Sequence, residues 1–310
     1  MISSIPVRKV AVIGAGGRMG RWFTYYFARS KNVRVSVYDK KRIAFRNLKC
    51  VDRYETIRDC VKDTDLVIVC VPIDTSVSVV QECFTYMKEG TTLSEISSIK
   101  KQIFNVLRAA RNDITCLCIH PMFGPATKSS RIIKNLLIPV KNRAKELALL
   151  KSIFPRSEIE VIRNPDLHDE YMAVVIGLTY YLNLVLGSML SKLDLGTMKK
   201  VAGTSFGMQL MITESILNDS SEFVSSLLRE NAFNQKYFTN FLAEAEKLQN
   251  LVAGKEEKAI AGAVEDIKIR INRFTDTDRS YIKFYRAIEY LEDIQHREMK
   301  LKVKLKPKPR

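Results

Sequence analysis

Short apolar runs alternate with amphipathic stretches through the first half of the chain, and this alternation predicts the elements. Arg8 to Ile13 reads as a strand and Arg18 to Ser30 as a helix. Val33 to Tyr38, with valine at 33, 35 and 37, is the next strand. Leu66 to Val71 is unbroken and apolar, as a strand covered on both faces requires. Thr91 to Glu95 and Ile114 to Ile119 repeat the theme, with a helical stretch from Lys100 to Arg111 between them. Leu136 to Val140 and Glu158 to Ile162 read as further strands flanking a helix over Ala144 to Ser152. Strand–helix alternation of this kind predicts an α/β fold with a parallel, doubly wound sheet.

After Asn164-Pro165 the strand signals nearly vanish and long helical segments run to about Gln295. Two patterns in succession predict two domains: an α/β domain over 1–165 and an all-helical domain over 166–298, followed by a basic flexible tail over 299–310. Between Glu170 and Lys192 lie 21 residues without a charge, long enough to cross a bilayer. Gly177, Thr179, Asn183, Gly187 and Ser188 interrupt that run. It is read instead as a helix at the centre of the helical domain or of a dimer, with no membrane partner.

Composition narrows the classes. The chain has 310 residues, 46% of them hydrophobic and 27% charged, enough for a substantial core. The net charge of +16 raises the question of nucleic acid. Every second residue from Lys300 to Arg310 is basic, so this short tail supplies six of the charges and leaves +10 scattered over the rest. No zinc-finger spacing and no RNA-binding aromatic signature accompanies them, and scattered basicity also suits an anionic cofactor and substrate. The tail ends Lys306-Pro307-Lys308-Pro309-Arg310, which cannot continue a helix and is expected to stay solvated. The six cysteines, at 50, 60, 70, 83, 116 and 118, lack metal-ligand spacing. With no secretory signal, a reduced cytoplasmic setting is expected.

The chemistry starts at the first turn. Val10-Ala11-Val12-Ile13-Gly14-Ala15-Gly16-Gly17-Arg18-Met19-Gly20 follows the first strand and opens the first helix. Glycines there allow a tight turn and close approach of backbone to a pyrophosphate, which then rests on the free N–H groups and positive end of the helix. Strand before, helix after and an acid further on make this a variant dinucleotide fingerprint in a Rossmann-type sheet. The acid is Asp39, at the end of the second strand, suited to accept from an adenosine ribose and so favouring NAD. Lys40, Lys41 and Arg42 follow and would suit a 2′-phosphate, so NADP stays open.

Ligands of open α/β sheets collect beyond the carboxyl ends of the strands. Those ends read Val71-Pro72, Ser97-Ser98 and His120-Pro121. Only three histidines occur in the chain, and His120 falls at such a point with Pro121 and Gly124 stiffening the backbone after it. A neutral imidazole there can accept a hydroxyl proton while hydride leaves the same carbon. His168 precedes the apolar helix, and His296 lies in a charged stretch where it is expected to be solvated.

Four segments resemble the prephenate dehydrogenase family over most of the chain. Gly14 to Phe23 looks like its cofactor loop. Glu95-Ile96-Ser97-Ser98-Ile99-Lys100 is similar to its strand-end segment, with Glu95 in place of the more usual Asp. His120-Pro121-Met122-Phe123-Gly124-Pro125 matches its most specific hexapeptide, and His168-Asp169-Glu170-Tyr171-Met172 resembles the opening of its helical domain. The first segment is also similar to dihydrodipicolinate reductases, whose histidine-rich helix has no counterpart here. The resemblance implies a homodimeric enzyme that converts prephenate to 4-hydroxyphenylpyruvate, CO2 and reduced NAD(P), in tyrosine biosynthesis. It gives His120 the ring-hydroxyl proton, Ser98 a hydrogen bond near that hydroxyl and His168 a share in holding the substrate. Gly14 to Gly20, Asp39, Val71 and Pro72 would bind the cofactor. Arogenate as substrate, and a cofactor-binding regulatory protein without activity, remain alternatives. The family commonly offers arginine to the ring carboxylate, yet Thr204 to Ser215 contains none; Gln209 and Glu214 occupy the expected places, leaving Arg131, Arg163 and Arg229 as candidates.

Overall fold

The computed structural model describes residues 7–45 and 48–304. In chain order the first part comprises β1 (Lys9–Ile13), α1 (Arg18–Ala28), β2 (Arg34–Tyr38), β3 (Val51–Arg53), α2 (Ile57–Val61), β4 (Leu66–Val69), α3 (Ile73–Tyr86), β5 (Thr92–Glu95), α4 (Lys101–Arg108), β6 (Thr115–Pro121), β7 (Ile133–Ile138), α5 (Arg143–Ile153) and β8 (Ser157–Val161). There follow α6 (Pro165–Met172), a π-helical segment (Ala173–Leu178), α7 (Thr179–Leu190), α8 (Leu195–Lys200), α9 (Thr204–Leu217), α10 (Ser221–Glu230), α11 (Asn234–Ala253), α12 (Glu257–Asn272) and α13 (Thr277–Lys304).

The eight strands form one sheet in the order β3-β2-β1-β4-β5-β6-β7-β8. The fold is α/β with a Rossmann-type sheet followed by helices, as expected. Strand order reverses between β1 and β4, which pair in parallel from Val10↔Leu66 to Ile13↔Val69. That reversal opens a crevice at the carboxyl ends of the two strands. β4 is buried at every position, so its sequence reads as a continuous apolar run rather than an alternation.

Side chains of alternate parity pack against two helical layers. Val10, Val12, Ile68, Leu117, Ile119 and Leu137 meet α1 and α5 through Trp22, Phe23, Phe27, Leu150 and Phe154. Ala11, Ile13, Val67, Val69, Leu93 and Cys118 meet α2, α3, α4 and α6 through Val61, Val80, Ile103, Leu107 and Met172.

The doubly wound sheet departs from parallel at one seam, where β6 and β7 run antiparallel, Cys118↔Ile138 to Pro121↔Asn135. A parallel return needs a crossover of a dozen or more residues, usually helical. The link from Met122 to Ile132 carries no helix and turns at Gly124 and Pro125. Three elements, β3, α2 and α3, carry little periodic signal and are found only in the structure. α2 is held by its start, where Thr56 Oγ1 accepts from Asp59 N and donates to Asp59 Oδ2.

Asn164 caps α6 by accepting from Leu167 N, and Pro165 takes the first helical place. Asn164-Pro165 is thus a helix start. The compact units break elsewhere: one comprises residues 1–181 with 219–237, the other 182–218 with 238–310. The expected tail is also shortened, because α13 continues to Lys304. Residues 305–310, with the Lys-Pro repeats, lie outside the described residues, as does the side chain of His296.

The apolar stretch is one helical run from Pro165 to Leu190, long and apolar enough to cross a membrane, with mean hydropathy 1.7. The reading of it as a buried helix is corrected within the single chain. Only 22% of its most apolar window is buried, and Val174, Val175, Leu182, Val185 and Met189 are exposed.

Candidate functional site

The glycine loop sits at the strand-order reversal. Gly14 adopts φ +80°, a conformation that side chains disfavour. A Cβ there would also meet the Cys70 carbonyl and lie 3.0 Å from Val71 Cγ1, so β1 and β4 close on this residue. Gly20 is equally constrained, since its Cβ would overlap the Gly14 carbonyl oxygen and sit 2.8 Å from Ala15 Cα. Gly17 caps α1 without any side-chain acceptor, and the first turn of α1 holds no acid. The first N–H groups of α1 therefore have no acceptor from the helix's own first turn. Met19 packs into the α1-side core while Arg18 reaches Asp219 at 2.5 Å.

Asp39, half-buried at the end of β2, closes the same loop. Its Oδ2 accepts from Gly16 N at 2.8 Å and its Oδ1 from Lys41 N at 2.8 Å. A Cβ on Gly16 would lie 2.8 Å from that Oδ2. Each oxygen keeps a further lone pair for a ribose hydroxyl. An uncapped helix end, glycines with no room for a Cβ and a positioned carboxylate together fit a dinucleotide. Val71 follows β4 and Pro72 caps α3, on the other lip of the crevice.

The second half of the site rests on β5 and β6, neighbours paired from Thr92↔Thr115 to Glu95↔Cys118. Ser98 follows three residues after Glu95 and is half-buried. His120 lies within β6 rather than beyond it, opposite Leu136, and is buried. Its side chain has the parity of Cys118 and so points to the α2–α4 face of the sheet.

His168, from α6, arrives on that face. His120 Nδ1 and His168 Nε2 are 3.0 Å apart, and His168 Nδ1 is 2.8 Å from Asp169 Oδ1. Asp169 also accepts from Lys100 N at 2.8 Å and Lys101 N at 2.9 Å, so its carboxylate covers the N-terminal end of α4. Asn231 Nδ2 donates to the Asp169 carbonyl at 2.7 Å. Beneath them Lys100 Nζ pairs with Glu95 Oε2 at 2.7 Å, both fully buried, and Glu95 Oε1 accepts from Ser97 N at 2.5 Å.

Burial pushes the His120 proton affinity well below the ordinary imidazole value, and the neighbouring His168 and Lys100 push the same way. His168 is lowered too, mainly by burial, with the Asp169 hydrogen bond opposing. Both imidazoles are therefore neutral near pH 7.

The loop glycines and Asp39 come together on one side, and His120 with His168 on the other. Asp169, Lys100 and Asn231 were not singled out as site residues. Asp169 carried a signal, adjacency to His168, whereas Asn231 is 62 residues from Asp169 and has none. Of the candidate carboxylate receptors, Arg131 lines a cavity of about 470 Å3 with Tyr26, Arg29, Ser129, Ile133 and Arg156. Ile133 belongs to the α1–α5 layer, so this cavity opens on the face opposite His120. Arg163 is exposed just after β8. Arg229 pairs with Glu230 at 2.7 Å, two residues before Asn231. In α9, Gln209 donates to Asn183 Oδ1 at 2.8 Å and Glu214 pairs with Lys199 at 2.7 Å. Among the described residues no group of His, Cys, Asp and Glu could hold a metal ion.

A doubly wound sheet with a glycine loop and carboxylate at its switch point defines a Rossmann-type, dinucleotide-binding fold, here with a buried histidine two strands away. Residues 27–151 match the family model described as "Prephenate dehydrogenase, nucleotide-binding domain". The match runs from the end of α1 into α5 and does not include the helices after β8. A curated relative from Methanocaldococcus jannaschii, "Probable arogenate/prephenate dehydrogenase", is 23% identical over 267 residues, 83% of this chain and 59% of that one. The "T-protein" of Haemophilus influenzae is 20% identical over 74% of this chain and 58% of its own length. This chain thus spans under two thirds of the curated relatives it matches. Among solved structures, prephenate dehydrogenase from A. aeolicus in complex with hydroxyphenyl propionate and NAD+ superposes with TM-score 0.71. It is 19% identical over 88% of this chain and all of that one. Synechocystis arogenate dehydrogenase follows at 0.65 and 13%, over 86% of this chain and all of that one. At these identities the likeness shows the fold.

Proposed function

We propose that this chain oxidises prephenate to 4-hydroxyphenylpyruvate and CO2, with NAD as hydride acceptor. The observation that carries the reading is a buried, neutral His120 on the sheet whose switch-point crevice carries the glycine loop. Gly14 to Gly20 hold the pyrophosphate against the α1 terminus, and Asp39 takes the adenosine ribose. Val71 and Pro72 line the opposite lip. Asp39 favours NAD over NADP because a second anion beside its carboxylate is repelled. When bound, the nicotinamide supplies hydride acceptance.

His120 takes the proton of the ring hydroxyl as hydride leaves the carbinol carbon. The C–O bond of that carbon becomes a carbonyl, the ring carboxylate leaves as CO2, and its bonding pair completes the aromatic ring. Mass and charge balance as prephenate giving hydroxyphenylpyruvate, CO2 and one hydride, because the proton His120 takes returns to the phenolate oxygen when CO2 leaves. Aromatisation drives the decarboxylation, so the protein's work is to orient the ring and receive one proton. Ser98 hydrogen-bonds near the same hydroxyl, holding it toward His120.

The ring carboxylate is received by a cation outside Thr204 to Ser215. Arg229 is favoured over Arg131, which belongs to the opposite sheet face. The protein works as a cytoplasmic homodimer, with the exposed apolar helix at its interface.

The test is incubation with prephenate or arogenate and each cofactor, read as absorbance of the reduced nicotinamide. Turnover is expected with prephenate and NAD. Turnover of arogenate alone replaces the substrate, and turnover of neither sinks the reading.

A further inference from the structure

His168 has two ring nitrogens and both are committed within the protein. Nδ1 faces Asp169 Oδ1 at 2.8 Å and Nε2 faces His120 Nδ1 at 3.0 Å, in a residue that is 0% exposed. Asp169 can only accept there, because the same oxygen already receives Lys100 N and its partner oxygen receives Lys101 N. His168 must therefore present N–H at Nδ1. A neutral imidazole carries one N–H, so its Nε2 is a lone pair. His120 Nδ1 faces that lone pair and must be the donor. The remaining nitrogen of His120, Nε2, is left as the lone pair that can take a proton.

We infer that Asp169 and His168 are positioning residues that set the tautomer of His120, so that its Nε2 is the proton acceptor, and that His168 does not hold the substrate. This inference rests on the proposed reaction for its purpose and departs from the substrate-holding role the resemblance implies for His168. Each residue has one place in the series. Asp169 is itself anchored by the α4 N–H groups and by Asn231, which keeps its acceptor aimed at His168. His168 transmits the preference across 48 residues of sequence to His120. When His120 Nε2 takes the substrate proton, the ring becomes an imidazolium whose Nδ1–H points at the His168 lone pair. His168, aimed by Asp169, accepts that N–H, which keeps Nε2 turned to the substrate while the ring is charged. The other charged groups against the pair are Lys100, which lowers the proton affinity of both imidazoles, and Glu95, which pairs with Lys100 at 2.7 Å. A tautomer reversed at His120 would aim an N–H at the substrate hydroxyl and stop the transfer.

The direct test is side-chain 15N NMR on the unmodified protein, which holds three histidines. Spectra of the His120→Asn and His168→Ala variants assign the signals. At pH above 7 the expected pattern is protonated, pyrrole-type Nδ1 and unprotonated, pyridine-type Nε2 on both His120 and His168. A proton on Nε2 of either ring overturns the inference. Kinetics supply the second readout. His168→Ala should lower kcat by about tenfold or more and leave KM within about twofold. A raised KM at unchanged kcat would instead make His168 a substrate ligand. The spectrum needs no substrate. A protein showing the expected tautomers but inactive on prephenate sinks the proposed reaction and leaves the positioning intact, whereas an active enzyme with reversed tautomers does the opposite.

Discussion

His120 is buried, and in the proposed reaction that burial keeps the residue a usable base at low pH. Burial disfavours the imidazolium, His168 and Lys100 add to it, and the folded-state value falls well below 6.5. The neutral form therefore persists to lower pH than in a free imidazole, and the acid limb of kcat/KM should lie below 6.5. The sign for stability follows from linkage. The unfolded chain binds the proton more tightly, so the contribution of His120 is complete above 6.5 and is lost as pH falls through the folded value. His120→Asn should cost about 100-fold or more in kcat while leaving the circular dichroism spectrum unchanged. Full turnover in that variant would end the assignment of His120 as base. Lys100 and Glu95 answer to a different rule, because a buried pair is costly mainly when halved. Lys100→Met should destabilise by about 3–5 kcal/mol in urea unfolding. Adding Glu95→Gln should recover much of the loss, and additive losses would refute the pairing argument.

Among the elements, the β1–α1 turn has the least tolerance. Gly14 and Gly20 meet across it, and a methyl group on Gly20 would occupy the space of the Gly14 carbonyl. Gly20→Ala should weaken NAD binding by about tenfold or more, read by fluorescence of Trp22, the chain's one tryptophan, which lies in α1. Unaltered affinity would mean that the loop does not carry the cofactor. The π-helical segment shows the converse situation, where close approach is made by a side chain. Asn234 donates to the carbonyls of Leu227 and Leu228 and crowds Gly177 in the π-helical segment, a place where only glycine leaves room.

For the whole molecule, the question is what covers the helical run from Pro165 to Leu190. Its exposed valines, leucine and methionine form more apolar surface than a solitary domain keeps in water. A homodimer is expected by light scattering, and Val185→Asp should yield monomer, since a carboxylate cannot be buried there without a partner. A monomeric parent protein would remove the interface, and recovery in the membrane fraction would assign the helix to lipid.

Much of this protein was legible in the chain because it depends on local periodicity. The buried strand Leu66–Val69 and the glycines after β1 are each set by neighbours within a few residues. His120 stood out for the same reason, as a histidine at the edge of an apolar run followed by stiff backbone. α3 was not legible, since Asp74-Thr75-Ser76-Val77-Ser78 has weak helical preference and the helix is secured by Val79, Val80 and Cys83 in the core. The antiparallel seam, the face on which Arg131 lies and the union of His120 with His168 and Asp169 are decided by tertiary structure alone. They depend on strand direction and side-chain parity, which bring together groups 48 and 69 residues apart. Sequence by itself determined which residues could do chemistry here. In the proposed reaction the tertiary structure decides which nitrogen of His120 takes the proton, because a tautomer is chosen by the acceptor that folding places against the ring.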